Sequence, residues 1–241
     1  MVAKSDLKLI KSLHQKKYRI RHGLFLAEGV KLVEELLASR LEPFRVYSTD
    51  AGEGDSLLPI SEGELGKVST LTQPNKMLGV FRIPQPEAPR FTGWTLALDA
   101  LRDPGNLGTV IRLCDWFGIG DLLCSPDTVD CYNPKVLQAT MGSIARVRIH
   151  YLPLAATLEG CGLPVFGASM EGADVRRVTL PASGVLVMGS ESHGLSSELR
   201  GLLSETLAIP AYGKAESLNV ATAAAVLLHE IRRSDPGAIQ R

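Results

Sequence analysis

The chain has 241 residues, 45% hydrophobic and 22% charged, with 26 basic and 26 acidic side chains. That composition excludes general disorder, and the length suits one large domain or two small ones. No uncharged apolar run reaches the ~18 residues of a membrane span, and the start Met1-Val-Ala-Lys-Ser-Asp6 has no apolar signal core, so a cytoplasmic protein with no membrane attachment is expected. Cys114, Cys124, Cys131 and Cys161 form no CxxC pair and have no histidine at zinc-ligand spacing. Free thiols and no metal site are expected.

The zero net charge hides an asymmetry. Residues 1–31 carry eight basic side chains (Lys4, Lys8, Lys11, Lys16, Lys17, Arg19, Arg21, Lys31) against Asp6 and Glu28, a net of +6, whereas residues 91–241 carry a net of −3. A polyanion would be drawn to the N-terminal end; charge alone leaves open a merely solvated face.

Leu7, Ile10 and Leu13 recur at helical spacing within Ser5–Lys17, with Ser5 as a candidate N-cap. Phe25–Ala27 predicts a strand, Val30–Ser39 a helix, and Phe44–Tyr47 and Met77–Ile83 two further strands, together a small α/β unit. Three prolines within Ile83–Gly93 then predict an extended connector. The expected division is a domain of residues 1–82, a linker of 83–93, and a second domain of 94–241. In the latter, strands at Trp94–Leu98, Leu122–Cys124, Leu163–Ala168, Val185–Met188 and Thr206–Ile209 alternate with helices at Leu107–Phe117, Pro134–Thr140, Ser196–Leu203 and Ser217–Arg232. Continuous apolar strands separated by helices imply a mostly parallel sheet covered on both faces, so the fold class is α/β. Ligands of such sheets bind at the carboxyl ends of strands.

Three strand-end loops carry the chemistry. In Asp99-Ala-Leu-Arg-Asp-Pro-Gly-Asn106, Asn106 is a good N-cap for the following helix, and Arg112 lies six residues further on. Six residues of helix turn by about 240°, so the two side chains converge only if Asn106 sits outside the helix. A salt bridge from Arg112 to Asp115 or Asp99 is the plainer alternative. The second loop, Met188-Gly-Ser-Glu-Ser-His-Gly194, has glycines where backbone and ligand can approach closely, with Glu191 and His193 between them. His193 reads as a surface or hydrogen-bonded histidine ahead of a catalytic base. The third runs Ile209-Pro…Ser217-Leu-Asn219 into an alanine-rich helix. Asn219, disfavoured inside a helix, calls for a local reason there, either a cap hydrogen bond or a polar contact to a ligand. No P-loop, G-x-G-x-x-G, G-x-S-x-G or H-E-x-x-H occurs.

Taken in order, Asp103-Pro-x-Asn-x-Gly-x-x-x-Arg112, Met188-Gly-Ser-Glu-x-x-Gly194-Leu and Ile209-Pro…Ser217-Leu-Asn-Val220 resemble the three motifs of the SpoU (TrmH-type) RNA ribose methyltransferases of the SPOUT class. Phe25-Leu-Ala-Glu-Gly29-x-Lys31 and Leu71-Thr-Gln-Pro…Gly79-Val are similar to that family's small RNA-binding domain. The resemblance implies a trefoil-knotted sheet, a homodimer, S-adenosylmethionine as methyl donor, and an RNA ribose 2′-hydroxyl as acceptor, with rRNA favoured and a tRNA ribose methyltransferase the alternative. It implies donor contacts at Gly189, Ile209 and Leu218, and a polar catalytic set of Asn106, Arg112, Glu191, Ser217 and Asn219. A guanidinium acting as general base near pH 7.5 would need a shift of ~5 pK units, about 7 kcal/mol. Bidentate phosphate binding is the cheaper role for Arg112, with Glu191 orienting it. A non-catalytic RNA-binding or ribosome-assembly factor is the alternative from another class; the intact polar set speaks against it.

Overall fold

The computed structural model describes residues 2–51, 56–190 and 194–234. The chain forms two compact units, Met1–Pro86 with Asp130–Arg146, and Glu87–Val129 with Val147–Arg241.

The first unit begins with α1 (Lys4–Ser12), α2 (Lys16–His22), β1 (Leu24–Glu28), α3 (Val30–Leu37), β2 (Pro43–Ser48), β3 (Leu58–Pro59), α4 (Glu62–Val68) and β4 (Met77–Arg82). Its sheet has the order β1-β4-β2-β3, with β4 antiparallel to β1 and β2, and β2 parallel to β3. Ile10, Leu13, Leu26, Tyr47, Leu65, Leu78 and Val80 fill one core beneath it.

The single helix expected over Ser5–Lys17 is two helices, and Ser5 lies inside the first, whose N-cap is Ala3 with no side-chain cap. The break has a physical cause. Arg19 is buried, and its Nη1 donates to the carbonyls of Leu13 (2.9 Å) and His14 (3.0 Å), which a continuous helix would use internally. Arg19 also pairs with Asp130 at 2.5 Å, so it is withdrawn from the basic surface. A full capping box at Ser61 and Glu64 starts α4, a helix the periodicity reading did not anticipate.

The second unit holds β5 (Trp94–Leu98), α5 (Pro104–Trp116) and β6 (Asp121–Cys124); after the intervening α6 (Pro134–Thr140) come β7 (Arg148–Tyr151), α7 (Leu154–Glu159), β8 (Val165–Asp174), β9 (Gly184–Met188), α8 (Ser197–Arg200), β10 (Glu205–Ala208) and α9 (Val220–Arg233). Six strands pair in the order β10-β8-β9-β5-β6-β7, every pairing parallel. All five residues of β5 and of β9 are buried, which explains their unbroken apolar sequence. The short helix α7 was not expected, and the strand β7 escaped the sequence reading because Arg148 and His150 interrupt its apolar pattern. Both side chains bind Asp121 of β6, Arg148 bidentately at 2.5 and 2.9 Å and His150 at 2.7 Å.

The segment Asp130–Arg146 groups with the first unit, although the proline-rich connector had placed everything after residue 94 in one domain. Specific contacts hold it there. Gln138 donates to the Glu28 carbonyl at 2.7 Å, Arg146 pairs with Glu35 at 2.8 Å, and the Tyr132 and Phe25 rings lie 4.6 Å apart. None of these long-range partners is visible in local periodicity.

Candidate functional site

The carboxyl ends of β5 and β9 lie side by side, because Leu98 pairs with Met188 and the Asp99 N–H continues the ladder to the Met188 carbonyl at 2.9 Å. The first two loops therefore leave the sheet at adjacent points. Asp99, buried at 9% exposure, extends its carboxylate to the Ser196 N–H at 2.8 Å and ties the first loop to the end of the second.

The second loop closes on itself. Ser190 and Gly194 exchange two backbone hydrogen bonds, 3.1 and 2.9 Å, and Gly194 adopts φ +64°. A Cβ on Gly189 would fall 2.2 Å from the Gly194 carbonyl carbon and 2.5 Å from the Leu195 nitrogen, so only glycine fits. Glu191 and His193 lie outside the described residues.

The helix α5 corrects the expected role of Asn106. Its N-cap is Asp103, whose Oδ1 accepts from the Asn106 N–H at 2.7 Å, with Pro104 in the first turn. Asn106 is thus inside the helix, and Arg112 leaves the same regular helix about 240° further round. Arg112 is exposed and makes no hydrogen bond or ion pair among the described residues, so the alternative pairing with Asp115 or Asp99 is absent.

Asn106 instead meets the third loop. Its Oδ1 accepts from Asn219 Nδ2 at 2.9 Å. Asn219 is the N-cap of α9, accepting from the N–H groups of Ala221 (3.0 Å) and Thr222 (3.3 Å), so that helix starts after Asn219 and not at Ser217. One amide side chain therefore does both jobs: its oxygen caps, and its nitrogen reaches across to the first loop. Ser217 and Leu218 precede the helix and are exposed, Leu218 at 49%. Ile209 is half-buried just past β10. Tyr212 of this loop accepts from Arg176 at 2.7 Å, and Arg176 holds Asp174 bidentately, bringing that carboxyl down to about 2.

A cavity of about 390 Å³ opens between the first two loops, lined by residues 99–103, Asp127, Ser190 and residues 194–196. Gly189, Asn106, Arg112, Ile209, Ser217, Leu218 and Asn219 are not among its lining residues; Gly189 directly precedes the lining Ser190. Sequence reasoning named Asp99 only as a possible partner of Arg112, not of Ser196, and missed Ser125 and Asp127 altogether. The only signal was that Ser125 and Asp127 directly follow β6. Nothing in the residue pattern reveals that Ala100 has φ +58°.

The second-loop turn tolerates only glycine at position 189, and the third loop carries the half-buried Ile209 and the exposed Leu218. The SpoU rRNA Methylase family matches residues 93–229, which span all three loops. The chain belongs to that family. Residues 4–79 match the MRM3-like substrate binding domain. The 23S rRNA (guanosine(2553)-2′-O)-methyltransferase RlmP of Bacillus subtilis is 34% identical over 234 residues, 92% of this chain and 94% of that protein. A TrmH-family structure from Porphyromonas gingivalis superposes with TM-score 0.88 at 36% identity, covering 97% and 99% of the two chains. An AdoMet-bound rRNA methyltransferase from Sinorhizobium meliloti gives TM-score 0.86 at 29% identity, covering 97% and 96%.

Proposed function

We propose that the chain transfers a methyl group from S-adenosylmethionine to a ribose 2′-hydroxyl of rRNA. The observation that carries this is the Asn106–Asn219 hydrogen bond, which joins the first and third motifs of a SpoU family member at the carboxyl ends of its parallel strands.

The donor supplies an electrophilic methyl on a sulfonium. Gly189, Ile209 and Leu218 are proposed to hold it, the glycine through backbone approach and the other two as apolar walls. Asn106 and Asn219 fix the relative position of the loops around the acceptor, and alignment of this kind supplies a large share of the rate in group transfer. Arg112, unpaired and exposed among the described residues, is the proposed clamp on a phosphate flanking the target ribose. Ser217 and Glu191 complete the proposed polar set. The 2′-hydroxyl requirement makes RNA, not DNA, the acceptor.

The exposed basic side chains of α1 and α2 (Lys4, Lys8, Lys11, Lys16, Lys17 and Arg21) are proposed to bind RNA backbone, in keeping with the match of residues 4–79 to a substrate binding domain. A homodimer is proposed too, supported by Trp116 (70% exposed on α5) and Val226 (37% exposed on α9), apolar surface on two helices that pack together. The knotted C-terminal crossing and a cytoplasmic location belong to the same reading. Among the described residues no helix is long and apolar enough to cross a membrane.

Mapping 2′-O-methylated positions in total RNA, with and without the protein, tests the reading. Loss of one or a few rRNA sites supports it. An unchanged map would remove it.

A further inference from the structure

The first loop is held in a conformation that its own sequence disfavours. Ala100 has φ +58°, left-handed backbone in a residue that bears a Cβ. It sits between Asp99, tied to Ser196, and Leu101-Arg102-Asp103, which line the cavity and end in the N-cap of α5. A flip at this one residue would redirect everything from the cavity wall to Asn106.

The anchor comes from the loop after β6. The Ala100 N–H donates to Ser125 Oγ at 2.8 Å, and the Ser125 hydroxyl donates its proton to Asp127 Oδ1 at 2.6 Å, leaving an oxygen lone pair for the amide. Thr128 Oγ1 lies 3.0 Å from Ser125 Oγ and donates to the Leu98 carbonyl at 3.3 Å. Backbone bonds frame the contact on both sides, from the Ser125 N–H to the Leu98 carbonyl (3.0 Å) and from the Val129 N–H to the Leu101 carbonyl (2.8 Å). Ser125 is 6% exposed, so its polar atoms depend on these partners. Asp127 is exposed and lines the cavity.

We propose that Ser125, oriented by Asp127, is a positioning residue for methyl transfer: its hydroxyl pins Ala100 in the left-handed region and so aims the first loop at the other two. This rests on the methyltransferase reading above and adds to it residues outside all three motifs. Left-handed backbone is disfavoured for alanine by an amount equal to a population ratio of roughly 5–30. Without the hydroxyl, the pinned conformer should become rarer by a similar factor. Glycine enters the left-handed region as readily as the right-handed one, so it needs the pin much less.

Three variants test this: Ser125→Ala, Ala100→Gly and the double variant. The readouts are methyl-transfer kinetics, the affinity for S-adenosylmethionine by calorimetry, and amide hydrogen exchange over residues 99–107. Ser125→Ala should lower kcat by about 5- to 30-fold with the KM for RNA unchanged, and should lower exchange protection in that segment. Ala100→Gly alone should stay within about two-fold of the parent, and the double variant should recover most of the lost rate and protection. An unaffected Ser125→Ala variant would overturn the proposal. So would a double variant no better than Ser125→Ala, since the serine would then be a general structural prop. If the parent protein transfers no methyl group at all, the functional reading fails, while the exchange measurement still judges the pinning.

Discussion

Replacing Gly189 by alanine attacks the second loop at its narrowest point. The added Cβ would meet the Gly194 carbonyl carbon at 2.2 Å, its oxygen at 2.4 Å and the Leu195 nitrogen at 2.5 Å, all backbone atoms that cannot rotate aside. Relief requires opening the Ser190–Gly194 bridge, which carries two hydrogen bonds. At a net ~1 kcal/mol per hydrogen bond this costs about 2 kcal/mol, and the crowding adds a further ~1 kcal/mol or more. A ligand that needs the closed loop then binds only the minor population, so its apparent Kd rises in proportion. Calorimetric titration of Gly189→Ala with S-adenosylmethionine should show affinity weakened at least about ten-fold, and circular dichroism should stay near that of the parent because β9 itself is untouched. A Kd within about two-fold of the parent would refute the argument that this turn is the donor's cradle.

Other substitutions separate the roles. Arg112→Ala should lower methyl transfer by about 100-fold or more, as loss of a key electrostatic contact does, while S-adenosylmethionine affinity stays within a few-fold; equal loss of both would make Arg112 a structural residue. Lys16→Gln with Lys17→Gln should reduce the slope of log K for RNA against log salt by about 2, measured by filter binding, whereas Arg19→Met should leave the slope unchanged and lower the Tm. Burial pushes the Asp121 carboxyl up, but the Arg148 and His150 hydrogen bonds and their charges outweigh it and leave it below its ordinary value. Its stabilising effect is therefore complete above the unfolded value of about 3.9 and fades as pH falls through the lower folded value. Accordingly, the Tm gap between the parent and Asp121→Asn should be wide at pH 7 and should narrow progressively as the pH falls below about 3.9.

Most of the second unit was legible because its strands are buried on both faces: Trp94–Leu98 and Val185–Met188 can be little else than interior strands. The helix Pro134–Thr140 was expected with the bounds it has, and the structure shows that Asn133 caps it and Pro134 starts its first turn. What hid was long-range. Arg19 counted as a surface cation until its carbonyl partners and Asp130 explained both its burial and the break after α1. The pairing of residues 130–146 with the first unit rests on Gln138, Arg146 and Tyr132 finding partners about 110 residues away. At the site, the three loops announced themselves by composition, but which residue caps which helix did not. Both Asp103 and Asn106 are good caps, and proline at position 104 decides for Asp103 by fixing the first turn. The left-handed Ala100 and its serine anchor left no mark in the sequence, because alanine is the residue least expected to need one.

The most direct test is to incubate the protein with rRNA and S-adenosylmethionine carrying a labelled methyl group, and then to hydrolyse the product with alkali. The account predicts label in alkali-resistant dinucleotides, the mark of a methylated ribose 2′-oxygen. Label recovered on a base, or none transferred at all, would contradict it.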